Sequence, residues 1–128
     1  MFCNKTTLIL SIICIVFISG CTGNYEVIVD GQNTYEYNTL SNDNIIVECY
    51  FDTTNIGTMD ADNVQVDYSL LFDNRILETN TIYFGTVRDG ANVQKKRTHS
   101  VTLTNSEWHE LKSKNGKINL KIDKVRAE

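Results

Sequence analysis

The side chains that could carry out chemistry in this 128-residue chain are four cysteines, two histidines and one acidic turn. Cys49 alternates with apolar residues in its segment, so we expect a buried and inert thiol rather than a nucleophile. His99 and His109 have no cysteine, histidine or carboxylate at a ligand-like spacing, and we therefore predict no metal site. We expect His99 to be half-buried on a strand and His109 to be exposed on a helical turn.

The acidic turn is Asp60-Ala61-Asp62-Asn63. Clustered oxygens suit calcium, but an EF-hand loop would need an oxygen ligand at position 64 and a glycine after it, where this chain has Val64 and Gln65. We therefore interpret Asp60 and Asp62 as solvated carboxylates, with weak calcium binding as the alternative. The sequence has no nucleophile elbow and no glycine-rich phosphate loop, so we predict no catalytic residues and no cofactor.

The first 20 residues have the composition of a secretory signal peptide. Lys5 is the only charged side chain among them, and residues 8–18 are apolar except for Ser11. This apolar run is roughly half of the about 20 residues that a membrane-spanning helix needs. A short apolar run between a positive start and small residues predicts a signal peptide over residues 1–20.

The segment Ile18-Ser19-Gly20-Cys21 resembles the lipobox of bacterial and archaeal lipoproteins. The resemblance implies cleavage before Cys21 and a thioether-linked lipid on its sulfur; an ordinary secretory signal is the alternative. We accordingly predict a signal peptide (1–20), a lipidated tether (21–24) and one domain (25–128), exported and lipid-anchored to the outer face of the cell membrane. Cys49 is then the only thiol left in the domain, so we expect no disulfide.

Most of the domain has the period of two that is typical of strands with one buried and one wet face. Asp73-Asn74 separates two such segments and predicts a two-residue turn. Residues 31–44 are polar, and we expect either a long loop or a weak edge strand there. The predicted strands fall near residues 25–29, 45–52, 64–72, 75–84, 99–103 and 118–122. Six or seven strands at this spacing predict an all-β, antiparallel sandwich of two sheets.

A single helical turn is predicted near the C-terminus. Thr104 and Glu107 have the spacing of a capping box, Trp108 and Leu111 share one face, and Asn115-Gly116 ends the segment. We expect this helix to close one end of the sandwich.

Several short motifs resemble the FxLYD and desiccation-protein type of immunoglobulin-like β-sandwich. The resemblance covers about residues 45–103, although Ser69 replaces the first aromatic residue of the pattern. It implies an immunoglobulin-like fold, a non-catalytic domain, and structural roles in turns for Gly57, Asp73 and Gly90. The motifs are Asn55-Ile56-Gly57, Ala61-Asp62-Asn63-Val64-Gln65-Val66, Leu71-Phe72-Asp73, Phe84-Gly85-Thr86-Val87 and Asp89-Gly90.

Charge divides the predicted mature chain into two parts. Residues 21–90 contain twelve acidic and two basic side chains, a net charge of −10, whereas residues 91–128 contain nine basic and four acidic ones, a net charge of +5. The difference predicts either attraction between neighbouring strands or a cationic patch for an anionic partner. The candidate patch comprises Lys112, Lys114, Lys117, Lys121, Lys124 and Arg126.

These observations predict a cell-envelope lipoprotein whose sandwich is a non-catalytic binding module. Its expected partners are the membrane, through the lipid on Cys21, and an envelope protein or an anionic polymer; we expect no nucleic-acid partner. The alternatives are an accessory subunit of an envelope enzyme or transporter, and a weak calcium-binding surface domain.

Overall fold

The computed structural model describes residues 3–6, 12–19, 24–38 and 45–128. Within these ranges the chain forms eight strands and one helix. They are β1 (Cys3–Thr6), β2 (Ile12–Ser19), β3 (Asn24–Asn38), β4 (Ile45–Asn55), β5 (Ala61–Phe72), β6 (Arg75–Val87), β7 (Asn92–Val101), α1 (Asn105–Lys112) and β8 (Ile118–Arg126).

The strands form two sheets, and every pairing between them is antiparallel. In the first sheet β3 pairs with β4 and β4 with β7, while β1 and β2 both pair with the other edge of β3. The second sheet has the order β6-β5-β8. The predicted all-β, two-sheet architecture is confirmed, with six strands in residues 24–128.

The core follows the predicted period of two. In β4, alternate residues from Ile45 to Phe51 are buried and include Cys49, which is a free thiol. In β5 the buried row runs from Val64 to Phe72 and faces that of β4, so that the rings of Phe51 and Tyr68 lie 4.8 Å apart. Each apolar side chain of this kind contributes about 1.5–3 kcal/mol when it is buried, and this burial holds the two sheets together.

The polar stretch that follows residue 30 is a strand up to residue 38, and residues 39–44 lie outside the described part of the chain. Tyr35 and Tyr37 are buried on the core side of β3, and so is Asn33. The alternation was obscured in the sequence because tyrosine and asparagine occupy the inward positions. The predicted strand at residues 99–103 is displaced as well, since β7 begins at Asn92 and ends at Val101.

Helix α1 begins where it is predicted, but it ends at Lys112 with Ser113 as its C-cap, before the predicted stop at Asn115-Gly116. The Glu107 amide donates to Thr104 Oγ1 at 3.2 Å, and Glu107 Oε1 accepts from the Thr104 amide at 3.0 Å. Trp108 and Leu111 are buried, and the Trp108 ring meets that of Tyr37 edge-on at 5.3 Å. The helix therefore packs on the end of the sandwich at which β3 ends.

Strands β1 and β2 lie within the predicted signal peptide. Removal of residues 1–20 is a processing event, and the fold of the unprocessed chain does not test it, so the signal peptide stays a prediction. Of the predicted tether, residues 21–23 lie outside the described residues. Among the described residues, the single helix is neither long nor apolar enough to cross a bilayer.

Candidate functional site

The outer face of the first sheet carries a shallow groove across β3, β4 and β7. Strand register places its side chains in two rows, Asp30–Asp52–Gln94 and Gln32–Tyr50–Lys96. The groove has a volume of about 410 Å³, within the range of small-ligand sites. We call this surface the β3–β4–β7 groove. It exists because outward positions of three neighbouring strands are polar or aromatic, while the inward positions build the core.

One end of the groove contains two carboxylates on neighbouring strands. Asp30 and Asp52 are directly opposite each other, an arrangement of like charges that is unfavourable unless a donor or cation lies nearby. Asp52 accepts hydrogen bonds from the side-chain amides of Asn92 and Gln94 on β7. Asp30 Oδ1 is buried and has no hydrogen-bond partner among the described residues. This end of the groove can therefore accept a cationic or hydrogen-bond-donating group.

The other end of the groove is formed by Tyr50 and its neighbours. Tyr50 is 39% exposed, and its hydroxyl donates to Glu48 Oε2 at 2.5 Å. The Lys96 ammonium lies 6.0 Å from the centre of the Tyr50 ring and 3.7 Å from Glu48 Oε1. These contacts hold the ring against the sheet. A ligand in the groove would therefore meet an aromatic edge and a lysine at one end and carboxylates at the other.

The predicted cationic patch lies along the edge strand of the second sheet. Lys121, Lys124 and Arg126 are exposed on β8, Lys117 precedes that strand, and Lys112 and Lys114 lie at the end of α1. At about 3.3 Å per residue, β8 spans about 27 Å, which separates Arg126 at its end from Lys117, Lys112 and Lys114 before its start.

Acidic side chains and an aromatic ring engage half of that patch. Arg126 Nη2 lies 2.7 Å from Asp67 Oδ1, and Lys121 Nζ lies 3.8 Å from Asp123 Oδ1. A hydrogen bond from Thr81, followed by contacts with Arg126 and Lys124, lowers the pKa of Asp67. The Lys112 ammonium lies 5.5 Å from the Trp108 ring. The surface around β8 is therefore mixed in charge, and its role in binding stays a prediction.

A polar network that sequence reasoning missed joins the two sheets. Tyr68 on β5 has its hydroxyl 2.7 Å from His99 Nε2 on β7, and His99 Nδ1 lies 3.3 Å from Glu78 Oε1 on β6. His99 is half-buried, as predicted, and His109 is exposed. The three residues lie on three different strands, so no local spacing in the sequence could have indicated the network.

The order carboxylate, imidazole, hydroxyl in this network is the order found in hydrolytic triads. Its hydroxyl is a phenol, and burial, with the nearby Cys49 thiol as a smaller cause, raises the pKa of Tyr68 to about 12. Burial likewise raises the pKa of Cys49 to about 12, with a smaller effect of Glu78. Neither group would be ionised at neutral pH, and the arrangement favours a polar link between the sheets over a nucleophile.

The acidic turn uses its carboxylates within the protein. Asp60 Oδ1 accepts from the Asp89 amide at 3.0 Å, and Asp62 Oδ1 accepts from Thr86 Oγ1 at 2.9 Å. In the part of the chain that the structure describes, no three histidine, cysteine or acidic residues are grouped as metal ligands would be. The geometry gives calcium binding at Asp60 and Asp62 no support beyond their proximity in sequence.

The motif that begins at Asn55 has a structural role. The buried Asn55 carboxamide accepts from the amides of Glu26 and Gly57 and donates to the carbonyls of Met59 and Val87. Gly57 lies against β3, where an added Cβ would be 2.6 Å from both Asn24 O and Tyr25 Cα.

The other motif residues lie in turns, as the resemblance implies. Asp73 begins the tight turn between β5 and β6 with a φ of 50°, and Gly90 has a φ of 73° between β6 and β7. Its amide donates to Asn55 O at 2.8 Å. These roles concern the fold, and membership of the FxLYD group stays a prediction. No protein-family model matches the chain, and no curated protein matches it.

Proposed function

We propose that this chain is a cell-envelope lipoprotein whose β-sandwich is a non-catalytic binding module. The observation that carries the proposal is the β3–β4–β7 groove, in which Asp30, Tyr50 and Lys96 are presented on a rigid three-stranded surface. Side chains held by paired strands keep their geometry at little entropic cost, which suits recognition.

The remaining chemistry-bearing groups support binding rather than catalysis. The thiol of Cys49 and the phenol of Tyr68 are buried and have pKa values raised to about 12, which disfavours either as a nucleophile. Glu107 and Asn55 are used to cap a helix and to brace a loop. The proposal therefore assigns these side chains to stability and leaves the outer faces of the sheets for partners.

The proposed location rests on Ile18-Ser19-Gly20-Cys21. A diacylglyceryl group on Cys21 would contribute about 0.8 kcal/mol per buried methylene, enough to hold the domain on the outer face of the membrane permanently. The partner is then an envelope protein or an envelope polymer, and an accessory role beside a membrane-bound enzyme or transporter is one form of the same proposal.

Site-specific photocrosslinking on intact cells tests the proposal. Tyr50 in the groove and Tyr83 on the second sheet are both exposed tyrosines, at 39% and 61%, and form a matched pair for replacement by a photoreactive phenylalanine analogue. We expect the analogue at position 50 to capture a discrete envelope component and the analogue at position 83 not to do so. Capture at neither position, or the same products at both, would contradict a binding role for the groove.

A second pair of variants separates the two candidate surfaces. Lys117 and Lys121 are exposed near the start of β8 and can be replaced together by glutamate at little cost in stability. If capture at position 50 survives this double substitution but is lost in Asp30→Lys, the groove is the binding surface. If the double substitution abolishes capture, the predicted cationic patch is the binding surface instead. The same conclusion follows if high salt abolishes capture while Asp30→Lys leaves capture unchanged.

A further inference from the structure

The edge of β3 that faces away from β4 is covered by residues 1–20 in the unprocessed chain. β2 pairs with it from Ile12↔Gly31 to Ser19↔Asn24, and β1 pairs with it from Cys3↔Asn38 to Thr6↔Tyr35. Twelve residue pairs are thereby formed on this edge. If residues 1–20 are removed, as the proposed function requires, β3 becomes an edge strand along its whole length.

The backbone groups exposed by that removal can be identified. The Glu26 carbonyl accepts from the Ile56 amide and the Glu26 amide donates to Asn55 Oδ1, so the backbone groups of Glu26 point toward β4. Because successive residues of a strand direct their backbone groups to opposite sides, those of Val27 and Val29 point toward β2. These amides and carbonyls lose their partners when β2 is absent.

On each of the other sheet edges, a side chain of the protein itself pairs with one or two backbone groups. Asn33 Nδ2 donates to Ile118 O and Asn33 Oδ1 accepts from the Leu120 amide on β8. On β6 the Tyr83 carbonyl accepts from Lys95 Nζ at 2.7 Å, and on β7 the Lys96 carbonyl accepts from the Arg97 side chain at 2.9 Å. Covering edge carbonyls in this way discourages strand addition. Among the described residues we find no comparable donor on the β2 side of Val27 and Val29.

The charges on β3 indicate what kind of strand would fit. Glu26 and Asp30 lie on the outer face, and their partners in β2 are Phe17 and Ile13, which offer no countercharge. In the unprocessed chain Asp30 Oδ1 is buried without a hydrogen-bond partner among the described residues, and Asp52 is directly opposite Asp30 on β4. Lysine or arginine at the positions now held by residues 13 and 17 would meet these carboxylates. The inner side of such a strand must be apolar because β2 lies across the core from β8.

A second copy of this chain fits the same edge poorly. Two β3 strands paired antiparallel about Gly31 would set Glu26 of one opposite Glu36 of the other at both ends of the pair. Like charges at directly opposed positions are destabilising. The charge pattern therefore selects against self-association.

We propose that in the processed protein the free edge of β3 binds an extended segment of a partner protein as an added antiparallel strand. This segment has apolar residues on its inner side and lysine or arginine opposite Glu26 and Asp30. Strand addition of this kind draws affinity from backbone hydrogen bonds and specificity from alternate side chains. The inference rests on the proposed function, because it requires removal of residues 1–20.

The test begins with the mass of the intact protein purified from membranes in detergent. A lipidated chain that begins at Cys21 supports the proposed processing and frees the edge. A chain that retains residues 1–20 would overturn both the proposed lipoprotein and the strand-addition site. Failure of peptide binding by a correctly processed chain would overturn the site alone and leave the lipoprotein standing.

Binding is then measured with two acetylated ten-residue peptides that alternate valine with lysine or valine with glutamate. We expect the lysine peptide to bind about tenfold more tightly than the glutamate peptide, and to slow hydrogen exchange at the amides of Val27 and Val29. Equal affinities, or unchanged exchange at these two amides, would overturn the proposal. Concentration-dependent dimers that protect these amides without peptide would identify a second copy as the occupant and would also overturn it.

Charge exchange provides the sharper control. Asp30→Lys should weaken binding of the lysine peptide about fivefold and strengthen binding of the glutamate peptide. Glu110→Lys changes the net charge equally at an exposed position on α1 and should leave both affinities unchanged. Equal effects of the two substitutions would reduce the interaction to non-specific attraction and overturn the proposed site.

Discussion

The side chain of Asn33 on β3 forms hydrogen bonds with the backbone of β8 at Leu120 and thereby joins the two sheets. Asn33 Oδ1 accepts from the Leu120 amide at 3.0 Å, and Asn33 Nδ2 donates to the Ile118 carbonyl at 3.0 Å. Asn33 is completely buried. It therefore pairs backbone groups at the edge of the second sheet that would otherwise be buried without partners.

Replacing this side chain by leucine keeps its approximate volume but leaves the two backbone groups unpaired. We expect Asn33→Leu to lower the free energy of unfolding by about 3 kcal/mol, measured from urea unfolding curves. Asn119→Leu is the matched control, because Asn119 Oδ1 is buried without a partner among the described residues. Because it removes an unpaired buried acceptor, this substitution should leave the free energy of unfolding unchanged or slightly higher. Equal losses in the two variants would contradict the bridging role of Asn33.

The contact of Gly57 with β3 predicts a second stability difference. In Gly57→Ala the new Cβ would lie 2.6 Å from Asn24 O and Tyr25 Cα, which are backbone atoms that cannot move without shifting β3. We expect a loss of about 3 kcal/mol in the free energy of unfolding. Gly85→Ala is the comparison: Gly85 has a φ of 67° with open space around it, so it should lose only about 1 kcal/mol from backbone strain. A reversed order of the two losses would show that the loop can move away from β3.

Glu107 predicts how stability changes with pH in acid. Contact with Arg75, together with the capping hydrogen bonds to Thr104, lowers the pKa of Glu107 from 4.5 to about 2. The stabilising contribution of the ionised Glu107 is present in full above pH 4.5. It is lost as the pH falls toward 2, because Glu107 binds a proton at a higher pH in the unfolded state than in the folded state. Glu107→Gln should be less stable than the parent at pH 7 and should lose less stability between pH 4.5 and 2.

The control for this prediction is Glu110→Gln on the same helix. The Glu110 side chain is exposed and makes no hydrogen bond among the described residues. The free energy of unfolding of Glu110→Gln should fall in parallel with that of the parent over the same pH range, as measured by chemical denaturation at each pH. If Glu107→Gln also runs parallel to the parent, the Arg75–Glu107 contact does not persist in solution.

The buried position of Cys49 predicts slow thiol chemistry. Alkylation requires the thiolate, whereas burial raises the pKa of Cys49 to about 12 and leaves its side chain inaccessible. We expect iodoacetamide to label Cys49 at neutral pH only after denaturant is added, as followed by peptide mass mapping that reports each cysteine separately. Rapid labelling of the native protein would place Cys49 outside the core and shift the register of β4 by one residue.

The lipobox predicts the fate of the first 20 residues. Cys21→Ala should abolish incorporation of labelled lipid, and the variant should be released from the membrane fraction. Cys49→Ala should still carry the lipid and stay in the membrane fraction. The measurements are lipid labelling and fractionation of cells that express each variant. A Cys21→Ala chain that carries as much lipid label as the parent would rule out lipidation at this sulfur.

The sequence by itself determined the class of the fold and the positions of most elements. Alternation over β4 and β5 specifies which face is buried, because a strand directs successive side chains to opposite sides, and the capping residues Thr104 and Glu107 specify where α1 begins. The tight turn at Asp73 was predictable for the same reason, since aspartate tolerates the left-handed backbone found there. These are local properties, fixed by residues close together in the chain.

Only the tertiary structure decided which distant groups meet. The bond between Asn33 and Leu120 joins residues 87 positions apart, and the Glu78–His99–Tyr68 network and the β3–β4–β7 groove each draw on three strands. Their formation depends on strand order and register, which follow from how whole faces pack and are not encoded in any one segment. For the same reason the partner of Arg126 could not be read from the cationic composition of the C-terminal third, because Asp67 reaches it only after β5 and β8 have paired.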